Sequence, residues 1–355
     1  MSHREAIEEF AARVRRADSA HPLRLRGGGT KDFYGQLLAG EILDTRPYTG
    51  IVAYEPSELV ITLRCGTPLA ETEAVMRERG QWLAFEPPSC GSLATIGGAV
   101  AAGLAGPGRA ANGGVRDFVL GATVMNARGE VLRFGGQVMK NVAGFDVSRL
   151  LAGSLGTLGL ILEVSLKATP CPPASATLRF ELPEVRALEL LNQWGGRPLP
   201  VSASAFSAGE LTLRLAGAAA SVSAARSKLG GEELGAEEAA RFWDGVREQT
   251  HPFFRSELPL WRLSVPSRSP PLQVPGPQLI EWGGALRWLL SGADTRLIRA
   301  AAADCGGHAT LFRRGDRTTG VFHPLAPGLA AIHRRLKDQL DPQRVFNPGR
   351  MYADL

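Results

Sequence analysis

Alternating apolar and polar residues divide the first half of the chain into short predicted strands separated by glycine and proline. The segment Leu23 to Arg26 predicts a strand that runs into the turn RGGGTK, and GIVAYEP and ELVITLRCG predict two more. TPLAETEAVMRERG predicts a helix with Thr67 at its N-cap, and QWLAFEPP predicts the next strand. FVLGATVMNARGEVLRFG predicts a hairpin that turns at Asn126 to Gly129, because a cluster of turn-forming residues separates two alternating runs.

The second half of the chain repeats a β-α-β-β-α order. TPCPPASA, residues 169–176, is rich in proline and predicts a linker. The strands and helices after it indicate one antiparallel sheet with helices on one side, which makes the chain α+β. We expect a first domain at 1–170, a ferredoxin-like second domain at 171–325, and a C-terminal helix and tail at 326–355 that belongs to either domain.

Composition and charge exclude several classes of protein. The 40 basic and 35 acidic residues are interleaved, whereas a nucleic-acid-binding surface would cluster its positive charge. No stretch of about 18 uncharged apolar residues is present, and the first 20 residues do not resemble a secretion signal, so we expect a cytoplasmic protein. The four cysteines contain no C-x-x-C pair, which argues against an iron–sulfur cluster or zinc site held by this chain alone.

Two glycine-rich segments in the first half are candidates for ligand binding. RGGGTK lacks the order of a phosphate-binding P-loop, and no G-x-G-x-x-G connects a strand to a helix. Consecutive amides without side chains nevertheless form nests for anions, and we expect a positive φ at Gly28. PPSCGSLATIGGAVAAGLAGPG, residues 87–108, predicts a short helix near Gly97 whose first amides face a pyrophosphate. A tight turn and small-residue packing of a helix on a sheet are the alternative interpretations.

These segments, together with GGVRDFVLG and GGQVMKNVAGFDVSRLLAGSLGTLGLILEVSLK, resemble the FAD-binding domain of the vanillyl-alcohol oxidase and p-cresol methylhydroxylase (PCMH) family. With EWGGALRW and FNPGRM, the chain most resembles FAD-binding subunits of bacterial glycolate oxidase complexes. The resemblance implies a two-lobed PCMH-type FAD-binding domain. The residues that it implies for FAD binding are Arg26, Gly27, Gly28, Gly29, Thr30, Lys31, Pro88, Ala94, Thr95, Ile96, Gly97, Gly98, Gly106, Arg116, Phe118, Val119, Lys140, Asn141, Gly159, Ile161 and Glu163.

The mode of FAD binding and the substrate chemistry are predicted from fewer residues. The first loop offers no histidine for a covalent flavin bond and Cys90 has an ordinary packing interpretation, so we expect non-covalent FAD. Arg262 and Arg287 are candidates to bind a substrate carboxylate, and His308 is a candidate base or ligand. The alternative interpretations are surface ion pairing for the two arginines and a structural hydrogen bond for the histidine. Relatives that oxidise 2-hydroxy acids carry a metal-binding histidine pair that this sequence lacks, so we expect no metal.

The resemblance implies a subunit that helps to oxidise glycolate, a 2-hydroxy acid, to glyoxylate and passes electrons towards an iron–sulfur partner. The expected partners are a homologous FAD-containing catalytic subunit and an iron–sulfur subunit, with attachment to the inner face of the cytoplasmic membrane only through the complex. We expect little activity from the isolated chain. Two alternatives remain open: a self-sufficient FAD-dependent dehydrogenase, and a non-catalytic subunit that keeps the fold to stabilise its partner.

Overall fold

The computed structural model describes residues 2–37, 39–136 and 147–355. Both helices and strands occur in each half of the described chain. The helices are α1 His3–Arg16, α2 Leu69–Glu78, α3 Ile96–Ala102, α4 Arg109–Asn112, α5 Val115–Phe118, α6 Val147–Leu150, α7 Glu184–Gly195, α8 Ala219–Leu229, α9 Ala236–Glu248, α10 Thr295–Asp304 and α11 Pro327–Leu340. The strands are β1 Leu23–Arg26, β2 Glu41–Asp44, β3 Ile51–Glu55, β4 Val60–Arg64, β5 Gln81–Trp82, β6 Val119–Met125, β7 Val131–Gly135, β8 Leu160–Lys167, β9 Thr169–Pro170, β10 Ala174–Glu181, β11 Val201–Ser207, β12 Glu210–Gly217, β13 Glu232–Glu233, β14 Leu260–Ser264, β15 Gln278–Glu281, β16 Leu286–Leu290 and β17 His308–Arg313.

The first half is built on a five-stranded antiparallel sheet with the strand order β3-β4-β8-β6-β7. The central strand β8 is buried at six of its eight positions, as expected where both faces are covered. The predicted hairpin is confirmed as β6 and β7, and the Asn126 side-chain oxygen accepts the amides of Arg128 and Glu130 to hold its turn. This local hydrogen bonding explains why the sequence alone located the turn.

Two predictions about the first half were wrong in detail. Thr67 does not cap α2, because its hydroxyl donates to the Arg64 carbonyl at 2.7 Å and accepts the Gly50 amide at 3.0 Å. The helix begins at Leu69, after Pro68. The strand predicted over QWLAFEPP extends only over β5, and Glu86 with a φ of 48° interrupts the extended backbone.

The second half is built on an eight-stranded antiparallel sheet with the order β13-β10-β12-β11-β15-β16-β14-β17. Helices α7, α8 and α10 cover one face, as predicted. Helix α9 does not, since its Trp243 packs on Ala203 and Ala205 on the opposite face. That opposite face also contacts Tyr34 and Leu104 of the first half. The α+β class is confirmed.

The predicted linker at 169–176 is mostly paired backbone. Strand β9 pairs with β5, and β10 begins at Ala174, so that only residues 171–173 lie between strands. The Cys171 amide in this interval donates to the Gly80 carbonyl at 2.8 Å. The prolines therefore mark the change from one sheet to the other and do not form a free linker.

The C-terminal tail packs against the first strand of the chain. The Leu23 amide donates to the Val345 carbonyl at 2.7 Å, and Leu23 pairs with Phe346 in a parallel bridge next to the parallel pair of β1 and β2. Buried Lys337 donates to Asp341 at 2.7 Å, and Asp341 accepts the Val345 and Phe346 amides. This cluster fixes the tail beside the glycine loop that follows β1.

Candidate functional site

A cleft extends from the loop after β1, past α3, to the start of β8. Its outer lobe is lined by residues 24–32, and its inner lobe reaches Gly159 and Ile161. The two lobes share Gly98, Leu155 and other residues and therefore form one continuous cleft that is open to solvent.

The loop of residues 27–31 presents free backbone donors to the outer lobe. Among the described residues, no acceptor is present for the amides of this loop, whereas the carbonyls of Gly29 and Lys31 accept hydrogen bonds. Arg350 donates to the carbonyls of Lys31 and Asp32, and Arg26 donates to the Asp32 carboxylate at 2.8 Å. Amides that face a cleft among several arginines form a nest for an anion such as a phosphate. The donor set therefore fits the pyrophosphate of FAD.

Glycine also allows the segments below the cleft to approach each other closely. A Cβ on Gly28 would lie 1.5 Å from the Leu93 carbonyl oxygen, and a Cβ on Gly27 would lie 2.3 Å from Thr95 Oγ1. The positive φ of the loop is at Gly29, at 70°, and not at Gly28 as predicted. Close packing of backbone, which was the alternative interpretation, thus accounts for part of the glycine content.

The amides at the start of α3 are not free donors, contrary to the prediction. The Ile96 amide donates to the Thr67 carbonyl, and the Gly97 amide donates to the Cys65 carbonyl, both at 2.9 Å. The Gly98 amide donates to the side chain of Thr95, which is the N-cap of the helix. The amides of Ile96, Gly97 and Gly98 therefore all have acceptors within the chain, and Gly98 contributes its small size to the cleft.

The other residues predicted for FAD binding lie in several different places. Pro88 and Gly106 line a separate cavity below the second sheet. Ala94, Ile96, Phe118 and Val119 are buried in the core, and Arg116 is exposed and lines another cavity beside Lys337. Glu163 accepts the Tyr48 hydroxyl at 2.9 Å, and burial together with this contact raises the pKa of Tyr48 to about 12. Lys140 and Asn141 lie outside the described residues.

Arg262 is the predicted substrate residue that lines the cavity with Pro88 and Gly106. Its guanidinium carbon lies 5.2 Å from the centre of the Trp282 ring, and Glu281 and Trp288 line the same cavity. Burial, the larger effect, lowers the pKa of Arg262. This arrangement places a cation and a buried carboxyl group beside two indole rings.

Arg287 was predicted wrongly as a substrate ligand. Its side chain is fully buried, and it donates to the carbonyls of Gly284 at 2.8 Å and Ser269 at 2.9 Å. Arg262 pairs with Trp288 across β14 and β16, whereas Arg287 pairs with Leu263. Because successive residues of a strand point to opposite faces, Arg287 lies on the other side of the sheet from the cavity.

His308 lies at the start of β17, is exposed, and does not line the cavity of Arg262. Burial of part of the ring is the main cause that lowers its pKa, and the nearby Arg262 and His323 lower it further. The imidazole is therefore neutral at pH 7. Among the described residues no group of three or more His, Cys, Asp or Glu side chains forms a potential metal site.

Sequence reasoning did not assign several residues of these two sites. Glu281, Trp282 and Trp288 lie in EWGGALRW, and Asn347 and Arg350 lie in FNPGRM, two segments that contributed to the resemblance. The Asn347 side-chain oxygen accepts the Leu25 amide at 2.8 Å, and its amide group donates to the Leu155 carbonyl at 2.7 Å. Its position could not be predicted because its partners lie far away in the sequence.

Comparisons with known proteins agree with this geometry. Residues 4–135 match the model of an FAD binding domain. The chain is 51% identical over 334 residues to the glycolate oxidase subunit GlcE of Escherichia coli (strain K12), covering 94% of this chain and 93% of that protein. It is 32% identical over 159 residues to the glycolate oxidase subunit GlcD of Bacillus subtilis (strain 168), covering 44% of this chain and 34% of that one.

A similarity to solved structures extends over the whole fold. The structure of p-cresol methylhydroxylase with substrate bound superimposes with a TM-score of 0.69 at 15% identity, covering 98% of this chain and 87% of that one. No helix in the described part of the chain is long and apolar enough to cross a membrane.

Proposed function

Because the chain belongs to the family of the glycolate oxidase subunit GlcE, we propose that it is the FAD-carrying subunit of a multi-subunit glycolate oxidoreductase. The observation that carries this proposal is 51% identity over nearly the full length of both proteins. When bound, FAD supplies the hydride acceptor for oxidation of a 2-hydroxy acid. The loop of residues 27–31 would hold its pyrophosphate through free amides, and Gly159 and Ile161 would border it in the inner lobe.

We propose that FAD is held without a covalent bond. The loop 27–31 contains no histidine, and burial raises the pKa of the Cys90 thiol, so that the nucleophilic thiolate is disfavoured. Acid precipitation followed by a spectrum of the supernatant tests this. We expect the flavin in the supernatant, and a yellow pellet would contradict the proposal.

We propose that electrons leave this subunit for an iron–sulfur partner. All four cysteines are free, and Cys65 is buried while Cys171 is exposed, an arrangement without the clustered thiolates that hold iron–sulfur clusters. The partial identity to GlcD supports a second, homologous flavoprotein as the other partner. In this proposal the complex is cytoplasmic and attaches to the membrane only peripherally.

The test is glycolate-dependent dye reduction by the FAD-loaded chain, alone and after co-expression with the two partner subunits. We expect negligible rates alone and restored rates in the complex. Turnover by the isolated chain at about 1–10³ per second would favour a self-sufficient dehydrogenase. Unchanged activity of a complex whose copy of this chain cannot bind FAD would favour a non-catalytic stabilising subunit.

A further inference from the structure

Helix α9 ends with an acidic residue, Glu248, in a position that its own helix does not favour. Trp243 of this helix packs on Ala203 and Ala205, so the helix belongs to the second half of the chain. The negative end of a helix dipole disfavours a carboxylate in the last turn. Only 20% of the Glu248 side chain is exposed to solvent, so the carboxylate needs compensating partners from the protein.

Most of these partners come from a turn of the first half, at Ser89 and Cys90. The Glu248 carboxylate accepts the Ser89 amide at 3.0 Å, the Cys90 amide at 2.9 Å and the Ser89 hydroxyl. The guanidinium group of Arg247 lies 3.0 Å from the other carboxylate oxygen. Hydrogen bonds to a charged acceptor are stronger than those between neutral groups. One side chain of the second half therefore fixes two consecutive amides of the first half.

The turn that Glu248 holds has a backbone conformation that residues with side chains rarely adopt. The φ of Cys90 is 53°, in the left-handed region, and the φ of Gly91 is 141°. Such a conformation at a residue other than glycine is strained and persists only where its surroundings maintain it. Without the bond from the Cys90 amide to Glu248, the turn would be free to relax.

The opposite side of the same turn contacts the glycine loop after β1. The Ser89 carbonyl accepts the Thr30 hydroxyl at 2.8 Å and the Lys31 ammonium group at 3.1 Å. Within the described ranges, it is the only hydrogen-bond acceptor of these two side chains, and both residues line the outer lobe of the cleft. The Ser89 carbonyl and the Cys90 amide belong to one planar peptide group. That rigid group therefore connects Glu248 to the loop, although Glu248 does not line the cleft itself.

We propose that Glu248 is a positioning residue for the cofactor: it holds the peptide group between Ser89 and Cys90 so that the loop of residues 27–31 is preformed for the pyrophosphate of FAD. The inference rests on the proposed function, in which this loop binds FAD. A loop that must reorder before it binds lowers the apparent affinity by the fraction of molecules that are in the binding-competent form. The coupling is reciprocal, so bound FAD also strengthens the contact between the two halves.

The experiment is titration of the full-length apoprotein with FAD, followed by flavin fluorescence. Glu248→Gln keeps one acceptor oxygen but removes the charge from the three hydrogen bonds, and we expect the Kd to rise about 10- to 100-fold. The matched control is Glu237→Gln, which removes the same charge from the first turn of the same helix. Glu237 is exposed and forms no ion pair with a described residue, so its Kd should stay within about twofold of the wild type.

Two further measurements separate positioning from a general loss of stability. Hydrogen exchange of the apoprotein should be faster in residues 27–36 and 87–93 of Glu248→Gln than in the wild type or the control. A merely structural role would lower the free energy of unfolding in urea and leave the Kd for FAD unchanged. Thr30→Val removes the other bond to the Ser89 carbonyl, and its effect on the Kd should be less than additive with that of Glu248→Gln, because both act through one peptide group.

Three results would overturn the proposal: a Kd of Glu248→Gln within about twofold of the wild type, unchanged hydrogen exchange in residues 27–36, and strictly additive effects of Glu248→Gln and Thr30→Val. If circular dichroism shows that Glu248→Gln is unfolded, Ser89→Ala removes only the hydroxyl donor and should give the same changes at smaller size. Absence of FAD binding by the wild type would refute the proposed function. Hydrogen exchange of the apoprotein would then still decide whether Glu248 positions the loop.

Discussion

Replacing Gly28 with alanine tests how the cleft is built. The new Cβ would lie 1.5 Å from the Leu93 carbonyl oxygen and 2.3 Å from the Leu93 carbonyl carbon. Side-chain Cβ atoms essentially never approach other atoms within 3.0 Å. The obstacle is backbone, which cannot rotate away like the end of a side chain. The loop of residues 27–31 and the segment around Leu93 must therefore separate by at least about 1.5 Å.

The magnitude follows from the cost of overpacking. Inserting a methyl group into a closely packed region costs about 1–3 kcal/mol. If the loop must return to its original position for its amides to meet the pyrophosphate, the same energy lowers FAD affinity by about 5- to 150-fold. If the strain also remains in the apoprotein, the free energy of unfolding falls by a similar amount.

The assays are titration of the apoprotein with FAD, followed by flavin fluorescence, and urea unfolding of the apo and loaded forms. Gly292→Ala is the matched control, because a Cβ there meets no atom within 4 Å and its φ is not positive. Circular dichroism establishes that the Gly28 variant is folded. A folded Gly28→Ala protein that binds FAD within twofold of the wild type would refute the reasoning, and the loop would then be an ordinary turn.

Other predictions concern buried charges. Burial raises the pKa of Glu281 from 4.5 to about 8, so between these pH values the side chain holds a proton in the folded state and loses it on unfolding. The free energy of unfolding of the wild type should therefore fall by about 1.4 kcal/mol for each unit by which the pH rises from 4.5 to 8. Urea unfolding of Glu281→Gln should lack this slope, and equal slopes would contradict the assignment. Lys337→Met should cost roughly 3–5 kcal/mol in urea unfolding, because Asp341 stays buried without its cation, and a loss below 1 kcal/mol would contradict this.

Local sequence was sufficient for features whose hydrogen bonds close within a few residues. The β6 and β7 hairpin was predicted because Asn126 accepts amides only two and four residues away. The strand β1 and the glycine loop after it were predicted from their own residues. The α+β class was predicted from the order of the predicted strands and helices along the chain. The family resemblance pointed to FAD because its motifs lie in contiguous segments.

Tertiary structure decided which of these residues can meet a ligand. Arg262 and Arg287 looked alike in the sequence, yet the register of β14 with β16 puts one in a cavity and the other against the carbonyls of Gly284 and Ser269. The amides at the start of α3 were expected to be free, but the Thr67 and Cys65 carbonyls accept two of them.

The cleft itself closes only through contacts that are distant along the chain. Asn347 reaches Leu25 and Leu155, and Arg350 holds the carbonyl side of the glycine loop so that its amides face the cleft. Periodicity and turn chemistry depend on neighbouring residues, and the sequence therefore determined strands, turns and the kind of cofactor. The register of the strands and the packing of the C-terminal tail depend on contacts throughout the core. Only the folded chain therefore decides which backbone and side-chain donors remain free to bind a ligand.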